Sequence, residues 1–198
     1  PLVHVSFPKL EGINRMAKRS FDIVGSALLL LLLSPVMIVV ALAVKLTSTG
    51  PLFYSQERIG RRGRPFGMLK FRSMVANADD QLAGLLDQQG TTDKPLFKVV
   101  NDPRVTRVGR ILRRYSLDEL PQLINVLLGD MSLVGPRPQR QAEVELYDDA
   151  AHRRLLVKPG MSGLWQVSGR STLSWEDSLR LDLYYVENWS FMQDIVIL

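Results

Sequence analysis

A mainly helical α+β domain lying on a membrane is the fold this sequence predicts, on three observations. A run of about 22 residues without a charge, IVGSALLLLLLSPVMIVVALAV, lies between Asp22 and Lys45, long enough to cross a hydrocarbon core. Runs with strand character are few and short. Later stretches place their apolar residues at helical spacing. At 198 residues the chain suits one domain, or one with an appendage, and can bury a sizeable core.

The uncharged run is too long for a signal peptide, lacks an A-x-A cleavage site and continues into ordered-looking sequence. Pro35 has no N–H to offer the carbonyl of Leu31 and its ring crowds that carbonyl, so the helix is expected to bend or break at Ser34-Pro35. The Ser34 hydroxyl is placed to bond a carbonyl in the preceding turn. Each half, about ten residues long, reaches only about 15 Å, half of a hydrocarbon core. Lys9, Arg15, Lys18 and Arg19 precede the run; Lys45, Arg58, Arg61, Arg62 and Arg64 follow it. A spanning helix would export one of these basic flanks, against the positive-inside tendency, whereas a re-entrant helix keeps both on the cytoplasmic side. The re-entrant reading is favoured over a kinked span.

Beyond the run, GPLFYSQERIG reads as extended after a Gly-Pro break, and RGRPFGMLKFRSM as a turn and then a strand. NADDQLAGLLDQ spaces Leu82, Leu85 and Leu86 as a helix, QQGTTDKP is a loop, and LFKVV a short strand. Val108, Ile111 and Leu112 suggest a basic helix, and a second helix is expected from Glu119 to Leu128, ending at Gly129. GPRP and KPGMSG read as rigid loops. Trp175, Leu179, Leu183 and Val186 form the apolar stripe of an amphipathic helix. Trp175, Tyr184, Tyr185 and Trp189 suit a core, or in part the headgroup level of a bilayer. The expected organisation is residues 1–17 as a linker or the tail of an upstream domain, 18–46 as the membrane helix, and 47–198 as a catalytic domain. PLVHVSFP reads like the last strand of an upstream domain and MQDIVIL stops inside an apolar run, so the C-terminal part of a longer protein is expected.

Lys and Arg exceed Asp and Glu by 25 to 20, and the excess is local. Arg58, Arg61, Arg62, Arg64, Lys70 and Arg72 face only Glu57; Lys98, Arg104, Arg107, Arg110, Arg113 and Arg114 face only Asp102. Such clusters suit phosphate-bearing partners, or are simply a solvated basic face. The absence of cysteine excludes disulfides, thiol catalysis and thiolate metal sites, and the lone histidines, His4 and His152, disfavour multi-histidine metal sites and Ser-His triads.

The stretch RRYSLDELPQLINVLLGDMSLVGPRP sets Asp118 and Glu119 side by side just before Pro121. Ser116 to Glu119 matches a capping box, yet that register would put Pro121 inside the helix, where it is costly. With Asp118 as N-cap, Pro121 falls in the first turn. Either way the acids lie at the positive end of a helix dipole with Arg113 and Arg114 near in sequence, and both effects favour ionised carboxylates. An ionised carboxylate in a basic pocket can attack phosphorus or hold Mg2+ against phosphate oxygens, and adjacent carboxylates can divide those tasks. GPRP fixes Arg137 between prolines, KFR places Lys70 and Arg72 on one strand face, and SGR presents Arg170 after a glycine. Each of these basic residues could equally serve the surface or the packing.

Five stretches together resemble the bacterial monotopic phosphoglycosyl transferases, or bacterial sugar transferase family: KRSFDIVGSALLLLLLSPVMIVVALAVKLTSTGPLFYSQERIG, GMLKFRSM, DPRVTRVGRILRRYSLDELPQLINVLLGDMSLVGPRP, KPGMSGLWQVSGR and LDLYYVENWS. They occur in the family's order from Lys18 onward. The resemblance implies an α/β domain anchored by a re-entrant helix broken at Ser34-Pro35. It implies transfer of a sugar-1-phosphate from a UDP-sugar (a UDP-hexose) to undecaprenyl phosphate, with release of UMP, at the cytoplasmic face of the bacterial inner membrane. Asp118 is then the nucleophile, Glu119 the Mg2+ ligand, and Arg113 and Arg137 phosphate contacts, with Lys70, Arg72 and Arg170 further candidates. It also implies partnership with the lipid bilayer, no nucleic acid, and a homodimer among the long members, which prime capsule, exopolysaccharide or O-antigen synthesis.

Two other readings compete. RRGRPFG contains the R-G-R-P core of minor-groove hooks, but the upstream apolar run pins this loop near a bilayer, and Phe66, Met68 and Leu69 follow where a hook stays polar. A non-catalytic scaffold that holds anionic lipid is the second.

Overall fold

The computed structural model describes residues 12–78, 102–169 and 173–198. The helix expected around Leu82, Leu85 and Leu86, the QQGTTDKP loop, the LFKVV strand, PLVHVSFP and Arg170 lie outside the described residues.

Helix α1 runs from Gly12 to Thr47 and contains Pro35. It begins ahead of the Lys18 boundary expected from the sequence. The expected break is not an interruption, because helical structure continues through Ser34-Pro35. The local compensation is present: the Ser34 hydroxyl donates to the Leu31 carbonyl at 2.8 Å, the acceptor that Pro35 leaves without its usual donor. Leu31, Leu32 and Val39 along the uncharged stretch are 66–74% exposed. Apolar exposure of that extent along one element marks a surface meant for lipid or for another protein.

After α1 come β1 (Phe53–Ile59), a 3-10 turn at Arg61–Gly63 and β2 (Pro65–Phe71), and the two strands pair as a two-stranded sheet. The RRGRP stretch is therefore spent on a turn and the first residue of a strand, not on a free arm. Helix α2 (Arg107–Arg114), a 3-10 turn at Leu117–Glu119 and α3 (Gln122–Leu128) follow. Then come β3 (Ser132–Val134), α4 (Gln141–Val144), a 3-10 stretch at Ala151–Leu156 and β4 (Gly160–Ser162). Helices α5 (Leu164–Ser168), α6 (Trp175–Asn188) and α7 (Phe191–Ile197) close the chain. KPGMSG, expected as a loop, contains β4, which pairs in parallel with β3 in the register Ser132 with Gly160 and Val134 with Ser162. Strands of three residues carry too little period-two pattern to be read beforehand.

The chain forms two compact units: one from Pro1–Leu30, Glu57–Met68 and Leu123–Leu198, the other from Leu31–Gln56 and Leu69–Gln122. In the first, the N-terminal half of α1 carries a buried polar stripe, Lys18, Asp22 and Ser26, one turn apart. Asp22 accepts from the Ser132 hydroxyl at 2.9 Å and the Leu133 amide at 3.0 Å. Lys18 reaches the Val134 carbonyl at 3.0 Å and Asp194 at 2.6 Å. Ile59, Val144, Tyr147 and Ala151 form an apolar cluster against which Trp175 and Leu179 of α6 pack. Further along α6 the expected stripe shifts: Asp182 is buried, whereas Leu183 is only partly so. In the second unit, Val40, Val44, Phe71 and Leu112 make the core, with Leu117 and Leu120 packed on it.

Candidate active site

The carboxylate pair stands on a local frame within the second unit. Helix α2 is capped by Thr106, whose hydroxyl accepts from the Gly109 amide at 2.9 Å. That end rests on Ser73, whose carbonyl accepts from the Thr106 amide at 3.1 Å. A Cβ at Gly109 would stand 1.9 Å from the Ser73 carbonyl oxygen, so only glycine permits the approach. Gly109→Ala is expected to lower stability by about 1–3 kcal/mol through overpacking against backbone that cannot yield, a loss that chemical denaturation measures.

Past α2 the chain reverses at Ser116, which adopts a left-handed conformation, φ 55° and ψ 23°, and forms no side-chain cap. The capping box suggested by Ser116 and Glu119 is thus not formed. The acids occupy the 3-10 turn Leu117–Glu119, and α3 begins only at Gln122, after Pro121. Leu117 and Leu120 face the core, which fixes the intervening acids in place.

Asp118 is buried, 6% exposed, and this burial pushes its carboxyl above the ordinary range. Lys70 and Arg113 pull it down and Glu119 pushes it further up, but desolvation dominates. The expected pull of a nearby arginine toward the ionised form is present but outweighed, because the residue precedes the helix proper and is largely withdrawn from water. Lys70, on β2, donates to Glu119 Oε1 at 2.8 Å. Both partners are partly exposed, so the pair orients charge more than it adds stability. Arg113 donates through Nε to the Ser73 hydroxyl at 2.9 Å. Its Nη groups make no hydrogen bond to a described residue, which leaves a fork suited to phosphate oxygens.

The other sequence candidates are placed differently. Arg72 lies just past the end of β2, where strand alternation stops, and donates through Nη2 to the Ser48 carbonyl and hydroxyl, each at 2.8 Å. Arg137 belongs to the first unit, where its guanidinium lies 5.0 Å from the centre of the Trp165 ring. Its carbonyl accepts from Arg154 at 3.1 Å, and Arg154 is paired with buried Asp182 and bonded to the Tyr147 hydroxyl. Sequence reasoning passed over Arg154 and Asp182, the pair that holds the Arg137 backbone. The available signal was an acid at position 182 on the same helical stripe as Trp175, Leu179 and Val186. It also passed over Ser73, whose role rests on contacts to Thr106 and Arg113 that are distant in the chain.

Among the described residues, no group of three or more histidines or carboxylates gathers as a ready-made metal cage. A partly exposed carboxylate, Glu119, whose Oε1 accepts from Lys70, stands beside the buried one. That donor set fits Mg2+, which usually takes one or two carboxylates together with substrate phosphates.

A family model described as bacterial sugar transferase matches residues 13–198. The exopolysaccharide production protein ExoY of Rhizobium meliloti is 45% identical over 191 residues, covering 95% of this chain and 84% of that protein. The undecaprenyl-phosphate galactose phosphotransferase of Salmonella typhimurium is 49% identical over 190 residues, 93% of this chain and 39% of that protein. The UDP-glucose:undecaprenyl-phosphate glucose-1-phosphate transferase of Escherichia coli K12 is 44% identical over 205 residues, 100% of this chain and 42% of that protein. The chain thus spans most of the first relative and about two fifths of the other two.

Proposed function

The chain belongs to the bacterial sugar transferase family and is an enzyme of the phosphoglycosyl transferase kind, and on that footing we propose that it moves a sugar-1-phosphate from a UDP-sugar to undecaprenyl phosphate, releasing UMP. The observation that carries this reading is the Asp118 carboxyl, withdrawn from water on a rigid turn, with Lys70 and Arg113 as its cationic neighbours. The reaction runs in two displacements. An Asp118 oxygen attacks the phosphorus that bears the sugar, and the bond from that phosphorus to the departing UMP oxygen breaks, UMP leaving with the electron pair. An oxygen of the lipid phosphate then attacks the same phosphorus. The aspartyl oxygen–phosphorus bond breaks, the carboxylate is restored, and the sugar is left joined to the lipid through a diphosphate.

A carboxylate poorly solvated by water is a stronger nucleophile once ionised, and the nearby cations offset the phosphate oxygens that would repel it. Glu119 is the residue that would hold Mg2+; when bound, the ion offsets negative charge on the phosphates. Arg137, Arg72 and Arg170 stay candidate phosphate contacts on the family pattern. The exposed apolar face of α1 and its basic flanks support a re-entrant anchor at the cytoplasmic face of the inner membrane. UMP release from a panel of UDP-sugars tests the reading and identifies the sugar. About one equivalent of UMP per protein is expected without acceptor, and continued release only with undecaprenyl phosphate; no release with any UDP-sugar would leave only a lipid-binding scaffold.

The neighbours of Asp118 also predict the pH profile. Because burial raises its pKa, the acid limb of kcat/KM should lie above the usual aspartate range. Lys70 lowers that pKa, so Lys70→Ala should move the limb to higher pH. The variant should also turn over more slowly. An unmoved limb would show that Lys70 does not act on the Asp118 charge.

A further inference from the structure

Within the first unit, a cavity of about 440 Å³ opens beside the first turns of α1. Arg15, Arg19, Arg61 and Lys158 line it together with apolar Met16 and Leu156. None of the residues placed around Asp118 contributes to it. The lining also includes Lys18 and Asp22, but Lys18 is held by Asp194 and Asp22 is engaged by β3. The other cations lack an acidic partner at ion-pair distance among the described residues. Arg19 donates to the carbonyls of Val126 and Leu127 at 2.6 and 2.8 Å, and Arg61 to the Leu156 carbonyl at 2.9 Å, all neutral acceptors. Arg15 and Lys158 make no hydrogen bond to a described residue.

The cations also converge. An Arg19 Nη2 and the Lys158 Nζ each lie 3.2 Å from the one point where a Cβ on Gly129 would stand. Burial first, and then repulsion from Arg19 and Arg61, push the Lys158 pKa down, against the pull of Asp22 and Asp130. Four cations held close together, outnumbering the carboxylates beside them and without an ion pair among the described residues, suit an anionic ligand.

The surroundings indicate the kind of anion. Arg19 lies one helical turn, about 6 Å, before Ile23, where the uncharged run of α1 begins. Met16 and Leu156 give the basic cavity an apolar side, and its volume far exceeds that of one phosphate. We propose that this cavity binds the phosphate of an anionic bilayer lipid through Arg15, Arg19, Arg61 and Lys158, with the glycerol and the start of the acyl chains along Met16 and Leu156. The ligand is a resident phosphodiester lipid, not a reactant, so the proposal holds whether or not the transfer chemistry does.

Native mass spectrometry of the protein extracted from vesicles tests it, using phosphatidylglycerol in phosphatidylcholine. The parent protein should retain phosphatidylglycerol selectively. The Arg61→Gln/Lys158→Gln variant should bind it about thirtyfold more weakly, at about fivefold per lost charge. Arg15→Gln, a change at an exposed helical position, should weaken it about fivefold without affecting folding. Arg64→Gln, outside the lining, serves as a control for general surface charge and should leave retention unchanged. Equal retention by all variants overturns the proposal. So does displacement of the lipid by inorganic phosphate or UMP at concentrations that compete one-for-one, which would make this a soluble phosphate site. Retention of undecaprenyl phosphate in place of phosphatidylglycerol overturns it as well, and would assign the cavity to the acceptor.

Discussion

Asp118→Asn is expected to abolish transfer, by at least about 10³-fold in kcat, while leaving the melting temperature at or above that of the parent protein. The first half follows from chemistry: an amide cannot attack phosphorus and return as a leaving group, and no labelled phosphosugar should be trapped on the protein. The second half follows from the sign of the pKa shift. Burial raises the folded pKa of Asp118 above its unfolded value. For an acid this means that the folded state holds its proton more tightly, so stability is greatest below the unfolded pKa and falls as pH rises through the folded one. At neutral pH the residue is therefore a cost to the fold that asparagine, similar in size and uncharged, removes. Activity and thermal melting measured on the same preparation separate chemistry from folding. A variant that transfers sugar normally would end the covalent mechanism. A variant that is inactive but also strongly destabilised would show that the carboxyl was holding the turn together.

Lys18→Met should have the largest effect on stability, about 3–5 kcal/mol. Lys18 is buried and pairs at 2.6 Å with Asp194, which is 0% exposed and also accepts from the Tyr185 hydroxyl at 2.7 Å and the Trp189 indole at 3.2 Å. Removing the lysine leaves a carboxylate in the interior without its cation, and the surrounding donors do not replace a full charge. Lys18→Met/Asp194→Asn should recover part of the loss, because asparagine keeps an acceptor for Tyr185 and carries no charge. Denaturant titration of the set of variants in one detergent measures both. If the double variant is no better than the single one, packing of the lysine stem, not charge, accounts for the effect.

The parts of this protein that were legible in the sequence are those governed by local periodicity. The long uncharged run, the basic helix Arg107–Arg114 with Leu112 inward, and α6 from Trp175 all announce themselves through spacing. The relation of Ser34 to the Leu31 carbonyl followed from the missing N–H of proline alone. What escaped was set by tertiary contact. The parallel pairing of Ser132–Val134 with Gly160–Ser162 joins residues far apart in the chain, through strands too short to show a pattern. The same limit applied to Asp118, where sequence neighbours suggested a lowered pKa and burial by Leu117, Leu120 and the core reversed the sign. Arg72 and Lys70 are two apart on a predicted strand, yet the strand ends between them and they take different partners, Ser48 and Glu119.

The stripe of Lys18, Asp22 and Ser26 fixes more than a contact. Asp22 holds the Leu133 amide and Lys18 the Val134 carbonyl, so the first turns of α1 can neither rotate nor slide along their axis without breaking bonds to β3. If the uncharged stretch lies in lipid, a thicker or thinner bilayer cannot be met by moving the whole helix. The mismatch must instead be absorbed beyond Ser26, by local deformation of the lipid around Leu28 to Val39, ahead of Val40 and Val44 in the core. The anchor would then respond to membrane thickness, while the seat of its first turns on β3 stayed where it is.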